Sequence, residues 1–144
     1  MSEPVVRARG LHKAYRSGAG EITVLAELDL EIEEREALAV VGDSGVGKST
    51  LLHILAGLDS PDRGQVLFRG IDVYGGRSGN EPRDLAGHRN RNVGLIFQFH
   101  HLLPEFTAVE NVEMPLRIGG ASDGERGEAR ALLERLGLSA RLTH

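Results

Sequence analysis

Lys48 and Ser49 are the residues of this chain with the most to offer chemically, because of what surrounds them. They stand in the run Gly42-Asp43-Ser44-Gly45-Val46-Gly47-Lys48-Ser49-Thr50, which fits the pattern G-x-x-x-x-G-K-[ST]. Gly42, Gly45 and Gly47 let a backbone curl without Cβ clashes, so the amide N–H groups of about Gly45 to Thr50 can point inward at phosphate oxygens. A helix beginning at such a loop adds the partial positive charge of its N-terminus. Lys48 brings a full charge to the β/γ oxygens, and the Ser49 hydroxyl suits Mg²⁺. The chemistry is capture of a nucleoside triphosphate, ATP in the commonest case, together with Mg²⁺. Glycine makes up 19 of 144 residues, so a chance match has to be weighed. Chance would not also supply an apolar strand before the loop and an amphipathic helix after it.

Those flanking elements are legible. Ala37 to Val41 is apolar throughout, as in a strand buried on both faces. After the loop, Leu51, Ile54, Leu55 and Leu58 recur at i, i+3, i+4 and i+7, which predicts a helix. From about Val5 to Glu34 the signals are those of strands. Leu28, Leu30 and Ile32 alternate with Asp29, Glu31 and Glu33, and Arg16 to Glu21 reads as a hairpin turn. Downstream, Asp59 to Gly64 predicts a turn, Gln65 to Gly70 a short strand, and Gly75 to Asn80 a loop. A short helix is expected from about Glu81 to Arg89. A second buried strand is expected at Val93 to Phe97, ending at Gln98. Thr107 with Glu110 and Ser122 with Glu125 have the spacing of capping boxes. The last helix is expected to bury Ala129, Leu132, Leu133 and Leu136 and to close at Gly137. The fold class is α/β, a P-loop NTPase with an N-terminal antiparallel β subdomain and a partial parallel α/β core. Residues from about 1 to 35 form the antiparallel region, about 36 to 98 the phosphate-loop core, and about 99 to 144 the start of a helical subdomain.

Composition narrows the classes. Charged residues are 26% and apolar residues 40%, which suits a globular chain. A net charge of -4 disfavours general nucleic-acid binding. With no cysteine, disulfides and thiolate metal sites are excluded. The N-terminus MSEPVVRARG lacks the apolar core of a signal peptide, and no apolar run reaches the length of a membrane helix. The expected location is cytoplasmic, with membrane contact through a partner.

Two segments say more than the loop. Arg7 to Gly18 reads RARGLHKAYRSG, and Gln98 to Val112 reads QFHHLLPEFTAVENV. Here the chain resembles the ATPase subunits of ABC transporters, closest to the lipoprotein-releasing (Lol-type) ATPases, and the resemblance runs from about Val5 to His144. It implies an ATPase that hydrolyses ATP with Mg²⁺ and works as a homodimer. That dimer drives integral membrane subunits from the inner face of the bacterial inner membrane, releasing lipoproteins. It implies that Tyr15 stacks on adenine, its flat ring covering the base. Gln98 matches the glutamine that contacts Mg²⁺ or the attacking water, a task for an amide with both an acceptor and donors. Phe99, Leu102, Leu103, Phe106 and Met114 fall in the region that receives the membrane subunit, as groove or as core. For His100 and His101 the same resemblance accounts for the pair better than a metal site does, since no acidic or thiolate cluster joins them.

The resemblance also exposes gaps. The family carries an LSGGQ-like signature, an apolar strand ending in Asp-Glu and a switch histidine, and none is found in these 144 residues. SDGERGEAR, Ser122 to Arg130, echoes the signature superficially but is better read as a capped helix start. The expectation is an N-terminal portion that binds nucleotide, is inactive, and is poorly soluble because a hydrophobic sheet edge stays open. Competing readings are a non-catalytic nucleotide-binding module, a macrolide-export or cell-division ATPase, and a small P-loop kinase. The kinase has only Arg89 and Arg91 as candidate lid residues.

Overall fold

The computed structural model describes residues 3–18, 20–75 and 84–143. The chain divides into two compact units, Met1–Arg89 and Asn90–His144.

In the first unit, β1 (Val6–Ser17) and β2 (Gly20–Ile32) form a long antiparallel hairpin, closed where Ser17 faces Gly20. The predicted alternation holds. Leu28, Leu30 and Ile32 are half-buried while Asp29, Glu31 and Glu33 are exposed. β3 (Arg63–Phe68) pairs with the other edge of β1, and β4 (Ile71–Asp72) with β3. The antiparallel sheet order is therefore β2-β1-β3-β4. Against it packs α1 (Lys48–Leu55), which buries Leu51 and Ile54 among Ala8, Leu11, Leu25, Val66 and Val73. Leu58, expected on the same stripe, is exposed, because the helix stops at Leu55 and Gly57 turns the chain with φ of 72°. Tyr74 braces this end. Its hydroxyl donates to the carbonyls of Ile54 and Asp59, and burial pushes the phenol up to about 12.

Two expected strands do not join the sheet. Ala37–Val41 and Val93–Phe97 pair with no other strand among the described residues. Leu38 and Phe97 are exposed, Val41 more so, and Ile96 fully. Only Val40 packs against the core. The apolar composition of such runs signals a strand that wants neighbours on both sides. Ladder hydrogen bonds and burial come from such neighbours, and neither segment has a strand partner among the described residues.

α2 (Leu85–Asn92) begins later than the expected helix from about Glu81 to Arg89, whose first residues lie outside the described set. Gly76 to Asn80 of the expected loop lie outside it as well. Within the second unit, α3 (Ala108–Ile118) and α4 (Asp123–Arg135) both start in the predicted capping boxes. The Thr107 and Ser122 hydroxyls accept from the Glu110 and Glu125 amides, and each glutamate accepts from its cap's backbone N–H at 2.8 and 2.7 Å. These bonds, from the Thr107 backbone and the Ser122 side chain above all, hold both carboxyls below the usual glutamate range. SDGERGEAR is thus a helix start. Of the four apolar residues expected inside α4, Ala129 and Leu133 are buried but Leu132 and Leu136 are exposed. A helix packed along a single stripe covers one i, i+4 row and leaves the next uncovered. Gly137, at φ of 76°, closes the helix, and Leu138 N–H bonds back to the Leu133 carbonyl.

Candidate functional site

The turn from Gly42 to Gly47 is exposed apart from half-buried Gly47 and leads directly into α1. Gly47 is the N-cap of that helix, in the left-handed region at φ of 104°. It lies flat on β2: a β-carbon there would stand 2.5 Å from Val24 Cγ1 and 2.9 Å from the Val24 carbonyl oxygen. Val24 is the extra residue of a bulge, since the register passes from Lys13 facing Leu25 to Ala14 facing Thr23. The sheet thereby sets the height of the loop. No side chain caps α1, and its first turn holds no acidic residue. Its leading amides and partial positive charge are therefore left for an anion. Lys48 Nζ donates to the carbonyls of Gly42 and Asp43 at 2.8 and 2.6 Å, which holds the ammonium across the loop. Ser49 is exposed in the first turn of α1, next to half-buried Lys48 and Thr50. Asp43, Ser44, Gly45 and Val46 are all exposed, and the Val46 amide bonds to the Asp43 carbonyl.

Tyr15 belongs to the same unit. It lies opposite Ile22 on β2, two residues from the Val24 on which Gly47 rests. Its ring is 42% exposed, which leaves surface for a ligand. Its hydroxyl donates to Asp59 Oδ2 at 2.7 Å. Asp59 Oδ1 accepts from Lys13 Nζ at 2.8 Å and from the Ser60 amide at 2.7 Å. The Lys13 ammonium also bonds to the Ser60 carbonyl and stands 5.2 Å from the centre of the Tyr15 ring. Burial alone would raise the Asp59 carboxyl, but the bonds from Lys13, Tyr15 and Ser60 outweigh it and hold it below its ordinary 3.8. The bond to Asp59 raises Lys13 above 10.5. Sequence reading missed this cluster. Asp59 is 44 residues from Tyr15 and 46 from Lys13, and a lone aspartate in a turn carries no local signal of such a role.

Gln98 is exposed and lies in the second unit. In that unit Phe99, Leu102, Leu103 and Phe106 are exposed and Met114 is half-buried, so none of the five is core. Asn111, also missed from sequence, anchors the segment before α3. Its amide donates to the carbonyls of Leu103, Phe106 and Thr107, and its Oδ1 accepts from Leu103 N–H. His101 meets the ring of Phe97 edge-on at 5.1 Å. In the first unit Arg89 donates to the Gly57 carbonyl at 2.8 Å, a structural task at the end of α1.

Comparison with known proteins gives the family. Residues 25–144 match the family described as ABC transporter. All of the chain aligns at 45% identity with 62% of the lipoprotein-releasing system ATP-binding protein LolD of Idiomarina loihiensis. It aligns at 50% identity with 62% of the protein of the same name from Ruegeria pomeroyi. Among solved structures, a dimeric ATP-binding cassette in a post-hydrolysis state bound to ADP and Pi is similar at 35% identity and a TM-score of 0.80, over 96% of this chain and 60% of that one. The chain spans about three fifths of the length of these curated relatives.

Proposed function

This chain belongs to the ABC transporter family, with the α/β P-loop fold of its ATPases, and from that premise we propose that it is the ATP-binding portion of a subunit that powers lipoprotein release from the bacterial inner membrane. The observation that carries the reading is the loop itself. An uncapped helix N-terminus, a glycine seated on the sheet and a lysine held across the turn converge on one spot. Such a constellation binds the triphosphate through backbone amides and the Lys48 charge.

The donors present suit Mg²⁺ held jointly with phosphate. Among the described residues no group of three or more His, Asp or Glu is placed to hold a metal. The Ser49 hydroxyl is a single hard oxygen at the helix start, and Mg²⁺ commonly takes one or two protein oxygens beside substrate phosphates and water. Mg²⁺ bound there would neutralise charge between the β- and γ-phosphates. Lys48 orients the same oxygens and Tyr15 offers its ring to the adenine, while for Gln98 the family resemblance alone implies a role toward the metal or the attacking water. In the whole subunit these residues serve ATP hydrolysis. We assign Lys48, Ser49 and Tyr15 binding of the nucleotide and its metal. The exposed apolar residues Phe99, Leu102, Leu103 and Phe106, with Met114, are the surface for the integral membrane subunits, and a second ATPase subunit completes a homodimer on the cytoplasmic face. No helix among the described residues is long and apolar enough to cross a membrane.

Calorimetric titration with ATP, with and without Mg²⁺, tests the binding half. Uptake that needs Mg²⁺ and is lost in Lys48→Ala is expected; equal uptake by the variant would overturn it. Co-purification with the membrane subunits of a lipoprotein-releasing system, weakened by Phe99→Ser with Phe106→Ser, tests the transport half.

A further inference from the structure

The far end of α1 is tied to the strand that carries Tyr15, and this link has no part in phosphate binding. Asp59 is fixed from every side. Its backbone carbonyl accepts from the Tyr74 hydroxyl at 2.6 Å, its amide bonds to the His53 carbonyl, and its carboxylate accepts from Lys13 and from the Ser60 amide. The other oxygen, Oδ2, accepts from the Tyr15 hydroxyl. Lys13 is buried to 9% exposure, so the ammonium that orients Asp59 is itself immobile. A tyrosine on an edge hairpin, nearly half exposed, would otherwise rotate freely about its side-chain bonds.

We propose that Asp59 is a positioning residue for the nucleotide base: by accepting the Tyr15 hydroxyl, it fixes the plane of the ring on which the purine stacks. The inference rests on the reading of Tyr15 as the base platform. Its physical content is preorganisation. A ring already held in place loses little freedom when a base settles on it, whereas a free ring must be immobilised on binding. Immobilising one such side chain weakens binding by about 2- to 10-fold. The effect belongs to the base alone, since the polyphosphate is held by the loop and Lys48.

Affinities for ATP and for inorganic tripolyphosphate, each with Mg²⁺, measured by calorimetry on the 144-residue chain, separate the possibilities. Tyr15→Phe keeps the ring and removes the hydroxyl. It is expected to weaken ATP about 2- to 10-fold and to leave tripolyphosphate unchanged. Asp59→Asn is expected to do the same, and the double variant to be no weaker than either single one. Unaltered ATP affinity in Tyr15→Phe overturns the proposal, and so does an equal loss for ATP and tripolyphosphate, which would mark a merely structural role. Tyr15→Ala distinguishes the failures. If it alone weakens ATP, the platform stands and the tether does not; if it too leaves ATP unaffected, the platform falls and the tether with it.

Discussion

Gly47 and Val24 touch so closely that the phosphate loop has no room for a β-carbon at that point. The added atom would lie 2.5 Å from Val24 Cγ1, on a residue whose φ is 104°. Gly47→Ala therefore meets a steric clash and a strained backbone together. The expected cost is about 2–5 kcal/mol, read as a lowered Tm, with loss of ATP affinity as the loop is pushed off β2. A melting curve and a nucleotide titration on the same preparation check both.

Lys48→Ala should separate stability from binding. Among the described residues its ammonium bonds to two carbonyls of the exposed loop, so folding should change by no more than about 0.5 kcal/mol. ATP loses a charge-assisted contact, which corresponds to about 10- to 150-fold in affinity. A large drop in Tm would contradict this division.

The two capping boxes are independent tests of the second unit. Thr107→Ala and Ser122→Ala are each expected to cost about 1 kcal/mol, and their effects should add because the caps serve different helices. Denaturant titration of the single and double variants gives the sum directly.

The Asp59 cluster makes the first unit sensitive to pH at both extremes. The Asp59 carboxyl is held below 3.8 in the folded state, so its contribution is full above that value and is lost as pH falls through the lower folded value. Lys13 is held above 10.5, so its contribution is full below that value and is lost as pH rises through the higher folded one. Stability from this cluster should therefore be flat across neutral pH. Asp59→Asn should reduce the acid-side dependence, leaving the part that Glu110 and Glu125 contribute, and Tm measured from pH 2 to pH 6 decides it.

Val41, Ile96 and Phe99 present apolar side chains to solvent on segments without strand partners among the described residues. The 144-residue chain should bind a hydrophobic dye and self-associate as its concentration rises. Ile96→Lys with Phe99→Ser should reduce both. Sedimentation velocity across a tenfold concentration range would detect no change if the surface is inert.

What could be read beforehand follows the range of the forces involved. The glycine-rich turn into α1, the hairpin at Ser17 and Gly20, and both capping boxes are local patterns, settled within four to nine residues, and they appear where expected. Ala37–Val41 and Val93–Phe97 were readable as apolar but not as unpaired, because pairing depends on chain elsewhere. Leu132 and Leu136 fit the helical period equally well inside or outside, and only the width of the packed stripe decided against them. The bond from Tyr15 to Asp59 spans 44 residues, beyond the reach of any spacing rule.

α1 runs from Gly47, seated on Val24, to the turn held by Tyr74 and Asp59, so its length fixes how the loop and that turn face one another. Its eight residues measure about 12 Å, and one inserted residue would swing the two ends about 100° out of phase. Lengthening this segment by one alanine would thus turn Leu51 or Ile54 out of the core and unseat the loop or the turn with it.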